Sequence, residues 1–251
     1  MERLLDVIEV VEAHPGLSVA GIAERCAIPF STAYRLLRIL TKRRWVIAAQ
    51  RGNYLPGPRA LALGKAVSFC DLLKAVARPE LSRLAALCKG HAHLGILEND
   101  MVTYLVKCSH GRAGLHSREG QQLEAYCSAI GKVLLAGLDD VERERYLADG
   151  GFVALTQRTI TDANDLSAHL LGVRDQGWAA DMGEISPKLF CLAVVIPIYK
   201  SELPAAISIS STSLDAQALM YFLPELNEAA RTIAVKLSPL QMKKEDLRQA
   251  D

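Results

Sequence analysis

Apolar residues recur at helical spacing through the first forty positions of the chain. Leu4, Ile8 and Val11 share one face of a first helix, which ends near "HPG", where Pro15 and Gly16 stop it. Ser18 is placed to cap a second helix, "VAGIAERC", with Val19, Ile22, Ala23 and Cys26 on one side. After a break at "AIP", Pro29 suits the first turn of a third helix, whose buried stripe is Ala33, Leu36, Leu37 and Leu40. That stripe leaves Ser31, Thr32, Tyr34, Arg35 and Arg38 looking outward. The period then changes: "WVIAA", a turn at "QRGN" and "YLP" read as a β-hairpin with Arg51 at its tip.

Helical period resumes from Pro58 to Cys88, interrupted by Pro79, and predicts a linker followed by the first helix of a second domain. "HAHLGILEND" and "MVTYLVKCS" read as strands joined at "ENDM". Helices follow near 129–137, 139–148 and 162–176, the last capped by Thr161 or Asp162. "FCLAVVIPIY" and "AAISISSTS" read as strands, and a closing helix runs from about 214 to 237. Strands and helices without strict alternation, around an antiparallel sheet, predict an α+β second domain. The expected division is a winged helix-turn-helix over 1–58, a helical linker over 59–73, a sensor-like domain over 74–240 and a polar tail over 241–251.

Charge adds a function to the first of these. The 251 residues carry a formal net charge of only +1, yet nine Lys or Arg and no Asp or Glu lie between Arg25 and Lys65. The first 65 residues are net +5 and the remainder net −4. Small polar and cationic groups at an exposed helix start can reach base edges, which assigns Ser31, Thr32, Tyr34, Arg35 and Arg38 to a DNA-reading face. Lys42, Arg43, Arg44 and Arg51 would meet phosphates without regard to sequence. A winged helix can instead dock proteins, but such modules usually lose an acid-free basic face. One recognition helix reads too few base pairs to choose a site from a genome, so a homodimer or homotetramer on an inverted repeat in double-stranded DNA is expected. "MERLLDVIEV" carries acids at Glu2, Asp6 and Glu9, unlike a secretory signal or transit peptide, and the longest apolar run, "FCLAVVIPIY", is broken by Pro197. A soluble, cytoplasmic protein without membrane partners is expected. Six cysteines without a CxxC pair read as reduced thiols.

Candidate chemistry in the second domain is sparse. "GKV" at 131–133 lacks the glycine and hydroxyl spacing of a phosphate loop. "HAH" at 91–93 puts two imidazoles on one strand face, but no third ligand is evident, so strand-edge histidines are favoured over a metal and no cofactor is expected. Cys127 or Cys191 with His110 or His116 could form a thiol nucleophile pair. Along "AAISISSTS", alternation sends Ser208 and Ser210 to one face and Ile207 and Ile209 to the other. The serines then line a cavity or face water.

"RLLDVIEVV", "SVAGIAERCAIPFSTAYRLLRIL", "YLPGPRALALG", "LEAYCSAIGKVLLA" and "GWAADMGEISPKLFCLAVVIPI" resemble the successive blocks of IclR-type transcriptional regulators over nearly the whole length. The resemblance implies a winged-helix DNA reader joined by a helix to a GAF-like effector-binding domain, a non-enzymatic repressor or activator of a catabolic operon. It also implies a small carboxylate metabolite held by the positions matching Asp181, Cys191, Ser208 and Ser210. The helix opened by "SAIGK" would add backbone donors around Ser128, Ala129 and Ile130, with Tyr126, Leu94 and Ile96 shaping the remainder. One departure concerns Arg44, where the family commonly has glycine. The rival expectation is a thiol-based redox sensor or Cys-dependent enzyme in which Cys127 or Cys191 reacts.

Overall fold

The structure is a computed structural model that describes residues 2–49, 52–66, 68–111, 117–198 and 203–238; Arg51, His116 and the 241–251 tail lie outside them. It contains two compact units, Met1–Phe69 and Cys70–Asp251.

In the first unit α1 (Glu2–Ala13), α2 (Val19–Arg25) and α3 (Phe30–Lys42) enclose Val7, Val11, Ile22, Leu37 and Leu40. The α1 stripe is centred on Val7 and Val11, with Leu4 and Ile8 half-buried beside it. Ser18 does cap α2, accepting from the Gly21 amide at 3.3 Å. Pro29 is the N-cap of α3, with φ −58° and ψ 145°, and the helix begins one residue later. The wing has three antiparallel strands, β1 (Leu17–Ser18), β2 (Val46–Ala48) and β3 (Asn53–Pro56), in the order β1-β3-β2. A two-residue strand is too short to show alternation, so β1 leaves no trace in the pattern. The unit closes with α4 (Pro58–Ala66).

The second unit opens with α5 (Phe69–Leu87), which continues straight through Pro79, contrary to the interruption expected there. Leu73, Ala77, Leu81 and Leu84 form one fully buried stripe on this helix, and its burial outweighs the backbone bond that Pro79 cannot donate. The two helices are distinct, α4 ending at Ala66 and α5 beginning at Phe69. The sheet comprises β4 (His91–Glu98), β5 (Met101–Ser109), β6 (Gln122–Glu124), β7 (Trp178–Met182), β8 (Phe190–Val195) and β9 (Ala205–Ser211). All pairings are antiparallel, in the order β6-β5-β4-β9-β8-β7. Between and after these strands lie α6 (Ala129–Ala136), α7 (Asp140–Asp149), α8 (Ala163–Gln176), α9 (Ala216–Met220) and α10 (Leu223–Leu237). Asp162 caps α8 by accepting from the Asn164 and Asp165 amides. The single closing helix expected over 214–237 is two, because Pro224 in the first turn of α10 has no N–H to carry the α9 ladder onward.

One face of the sheet packs under α5 and α10 through Leu94, Ile96, Leu192, Val194, Ile207 and Ile209. The other packs under α6 and α8 and carries small residues, Ala179, Ala193 and Ala206. Gly95 belongs to that face; a Cβ there would lie 3.0 Å from the Ile130 side chain, so α6 sits close on the strands.

Candidate functional sites

On α3 the fully buried Ala33, Leu37 and Leu40 turn Ser31, Tyr34, Arg35 and Arg38 outward, with Thr32 half-buried. Lys42, Arg43 and Arg44 follow on the exposed end. Among the described residues none of these cations is tied to a carboxylate, so their charge is available to a polyanion. The corner between α3 and β2 is fixed by Arg44 itself, at φ +61°. The Arg44 amide donates to the Thr41 carbonyl at 3.0 Å and the Trp45 amide to the Leu40 carbonyl at 2.9 Å. Across the corner, a Cβ on Gly57 would come within 2.4 Å of the Arg44 carbonyl oxygen, which only glycine avoids. The Arg59 guanidinium sits over the Trp45 ring, 5.6 Å from its centroid.

The second unit has a different kind of site. Cross-strand register lines up Ser109, His91, Ser210, Cys191 and Asp181 across β5, β4, β9, β8 and β7. Lys107, His93, Ser208, Ala193 and Ala179 form the next row. Both rows lie on the α6 face, because Ile207, Ile209, Leu94 and Leu192 occupy the other. Ser208 and Ser210 therefore face the interior and not water, at 3% and 1% exposure. Ser128 is the N-cap of α6: its hydroxyl oxygen accepts from the Gly131 amide at 3.0 Å, and the Ala129 and Ile130 amides come before the first bond that the helix itself can make. A Cβ on Gly131 would strike the Ala125 carbonyl at 2.1 Å, so the approach to the helix closes only around glycine.

Asp181 serves the chain itself. One carboxylate oxygen accepts the Gly183 and Glu184 amides, at 3.0 and 2.6 Å, and the Cys191 thiol points at the other from 3.9 Å. Burial pushes its carboxyl up to about 6, with the Glu184 amide and Lys132 pulling the other way and the Glu184 charge adding to the rise. Lys132, fully buried, pairs with the Glu184 carboxylate and donates to the Ala180 carbonyl at 3.4 Å. The remaining Glu184 oxygen is buried without a partner among the described residues. Burial and then Asp181 drive the Cys127 thiol up to about 12 and the Cys191 thiol well above its usual range. Both are held as thiols, the weakly nucleophilic form. His110 is exposed at the end of β5.

Several residues that matter to this face carry little sequence signal. His91 and His93 lie on an interior strand with β5 and β9 on either side, which corrects their placing at a strand edge. The His91 Nδ1 meets the Ser109 hydroxyl and the His93 Nε2 the Ser117 hydroxyl, both at 2.8 Å. The opposite nitrogen of each ring is buried without a partner among the described residues, and the Ser210 hydroxyl has the Cys191 thiol as its neighbour across the strands. Burial, then Lys107 and His91, lowers His93 to about 3, so the ring is neutral. Among the described residues no group of three His, Cys, Asp or Glu side chains could hold a metal ion. Leu94 and Ile96 turn to the α5 and α10 core, away from the serines, because alternation along β4 fixes them opposite the histidines. Tyr126 is committed elsewhere, donating to the Val153 carbonyl at 2.7 Å and accepting its amide at 3.1 Å. Two surface clefts, about 150 Å³ beside Tyr126 and Phe152 and about 390 Å³ beside Trp45 and Leu61, lie away from the serine and histidine rows.

Residues 1–47 match the IclR helix-turn-helix domain and residues 64–235 the C-terminal domain of the bacterial transcriptional regulator IclR. The uncharacterized HTH-type transcriptional regulator RhmR of Escherichia coli K12 is 33% identical over 85% of this chain and 83% of its own. The Pca regulon regulatory protein of Pseudomonas putida is 30% identical over 94% and 83%. The crystal structure of an IclR homolog complexed with 4-hydroxybenzoate, from Microbacterium hydrocarbonoxydans, superposes with a TM-score of 0.62 at 26% identity, covering 94% of this chain and 97% of the other. With both domain models matched in order on a winged helix and a six-stranded antiparallel sheet, the chain belongs to the IclR family of DNA-binding transcriptional regulators.

Proposed function

We propose that this chain regulates a catabolic operon in response to a small organic acid, which it binds on the α6 face of the second unit. The observation that carries this reading is the Ser210 hydroxyl, buried beside Ser208 on the sheet face that α6 covers, with the Cys191 thiol as its neighbour and no nitrogen or oxygen partner among the described residues. Two hydroxyls and the Ala129 and Ile130 amides suit a carboxylate without any arginine. A relative bound to 4-hydroxybenzoate supports an acid as the effector. The raised thiols, Cys127 buried and Cys191 half-buried, favour a contact role for Cys191 over redox chemistry or nucleophilic catalysis. On DNA, Arg35 with Ser31, Thr32, Tyr34 and Arg38 reads an inverted repeat through a homodimer or homotetramer, and Lys42, Arg43, Arg44 and Arg51 meet phosphates. The test is a thermal-shift screen over organic acids: a ligand of the folded state raises the melting temperature by mass action, and operator affinity in the presence of each hit is then measured. A hit that shifts melting equally in the Ser208→Ala/Ser210→Ala variant would move the site elsewhere.

A further inference from the structure

Four Phe, Tyr or Trp residues lie between Glu2 and Ala66, and they divide into two pairs. Trp45 and Tyr54 pack against the core of the first unit. Phe30 and Tyr34 stand 58% and 54% exposed on α3, at positions i and i+4, where Cβ atoms are about 5 to 6 Å apart. A single exposed apolar side chain is ordinary on a protein surface. Here there are two, and their place is particular. Phe30 is the first residue of α3, and the exposed Ala27 and Pro29 come just before it, so the turn from α2 into α3 ends in an apolar tip. Counted at about 100° per residue, Tyr34 lies about 40° from Phe30 around the helix, and Arg38, Ser31 and Arg35 follow at about 80° to 140°. The buried Ala33, Leu37 and Leu40 lie behind the pair. An aromatic stripe therefore borders the cationic one, on a surface that has no Asp or Glu between Arg25 and Lys65.

We infer that Phe30, with Tyr34 beside it, is a specificity residue that packs against the 5-methyl group of a thymine in the major groove of the operator. This rests on α3 being the reading helix, as proposed above. The first residues of a recognition helix are the ones that reach base edges. Adenine, guanine and cytosine present only hydrogen-bonding groups in that groove, and a phenyl ring laid on them would strip their water and return no bond. A phosphate offers the ring only charge. Thymine alone adds an apolar group, its C5 methyl, and ring and methyl are both removed from water when they meet. Burial of one such group corresponds to roughly fourfold in affinity. The two stripes of α3 then divide the reading: the arginines take acceptors on guanine, and the aromatic pair takes the methyl. A protein seated on the same tip would have to cover Arg35 and Arg38 with carboxylates of its own, whereas the DNA that carries the methyl also carries the phosphates.

The experiment starts from a random-sequence duplex library, from which the full chain selects its preferred sites. The consensus site is remade with deoxyuridine in place of one thymine at a time, which deletes the methyl and keeps the base pair, and affinity is read by fluorescence anisotropy. At one thymine of each half-site the deoxyuridine form should bind the wild type roughly fourfold more weakly. In Phe30→Ala the ratio at that position should fall to within about 1.5-fold, and in Phe30→Leu, which keeps an apolar side chain, it should lie between. If no thymine in the consensus loses about twofold or more to deoxyuridine in the wild type, the inference is overturned, whether or not the variants fold. A ratio that Phe30→Ala leaves intact overturns it as well and leaves the tip to a protein partner. Arg35→Ala tests the reading beneath it. If that variant selects the same consensus with the same affinity, α3 is not the reading helix and this inference falls with it; a changed consensus without a methyl effect removes this inference alone.

Discussion

The two units of this chain present their polar groups in opposite ways. On the first, arginines and lysines stand exposed along one end of α3 and the corner after it, without carboxylate partners among the described residues. In the second, serines, histidines, a thiol and a carboxylate lie in two rows beneath α6, nearly all excluded from solvent and nearly all without formal charge at neutral pH. A phosphate backbone is a large, charged, hydrated partner, and it is met by exposed charge whose contribution is spread over many weak contacts. A small acid in a dry cavity is met by a few groups whose loss leaves buried atoms unpaired. Single substitutions should therefore cut deeply in the second unit and shallowly in the first.

The largest effect is expected from Ser208→Ala/Ser210→Ala. Two hydrogen bonds to a charged group, each worth roughly 1.5 to 3 kcal/mol, are removed, so effector affinity measured by titration should fall by at least a hundredfold. The fold should persist, because Ile207 and Ile209 on the opposite face are untouched. Operator binding without effector, followed by fluorescence anisotropy, should be unchanged. Parallel loss of effector and operator binding would show that the two units are not separable in this way.

Next in size is the pH dependence that Asp181 imposes on the second unit. Its carboxyl is raised from the ordinary 3.8 to about 6. The folded state therefore holds a proton that the unfolded chain gives up, and ∂ΔG/∂pH is negative in between. The contribution is fully present below about 3.8 and is lost as pH rises through about 6. The difference of about two units corresponds to roughly 3 kcal/mol. Denaturant unfolding followed by Trp178 fluorescence in a Trp45→Phe background, at pH 4 and pH 7, should show wild type losing about that much stability relative to Asp181→Asn. A difference that grows with pH would contradict the sign. For the same reason an anionic effector should bind more weakly above pH 6, where an ionised Asp181 faces Cys191.

How much of each site the sequence exposed follows the same division. Arg35, Arg38, Lys42, Arg43 and Arg44 were legible because exposure lets a charge run stand out against an apolar stripe. For the second site, alternation in "AAISISSTS" gives the two faces of β9, but not which one packs under α6; that depends on β4 and β8 as neighbours, a long-range pairing with no local signal. His91 and His93 carry the same alternation, but nothing in "HAH" says that the strand is interior. Leu94 and Ile96 are close in sequence to the histidines, but parity turns them to the opposite face. The short strands β6 and β7 were missed while the caps of α2 and α8 were found, because a cap is a local hydrogen bond and strand pairing is not.

On the DNA face, effects should be of the order of 1 to 3 kcal/mol and should differ in kind. Arg35→Ala is expected to weaken the specific site by that amount and to blur the preference at one base pair, while Arg43→Ala weakens all sequences about equally. Anisotropy titrations against the operator and a scrambled duplex over a range of salt separate the two. The slope of log K against log salt should fall by about 0.9 for Arg43→Ala. Indifference of both affinity and base preference to Arg35→Ala would remove α3 as the reading helix.

The smallest effect concerns Arg44, and it can be given a sign. At φ +61° this residue occupies the left-handed region, which costs a side chain on the order of 1 kcal/mol and costs glycine little. Arg43, one residue earlier, has φ −87°, where glycine gains nothing and loses through the entropy of the unfolded chain. Arg44→Gly should therefore stabilise the first unit by roughly 0.5 to 1 kcal/mol and Arg43→Gly should destabilise it by about as much. Both remove one exposed cation, so both should lower the salt slope of DNA binding by about 0.9. Trp45, half-buried against the same corner, reports unfolding of this unit alone in a Trp178→Phe background. Stability changes of opposite sign with equal changes in salt slope would show that this chain keeps an arginine at a strained position for its charge. Equal stability changes would mean that the corner does not hold the left-handed geometry that the Thr41 and Leu40 carbonyls impose on it.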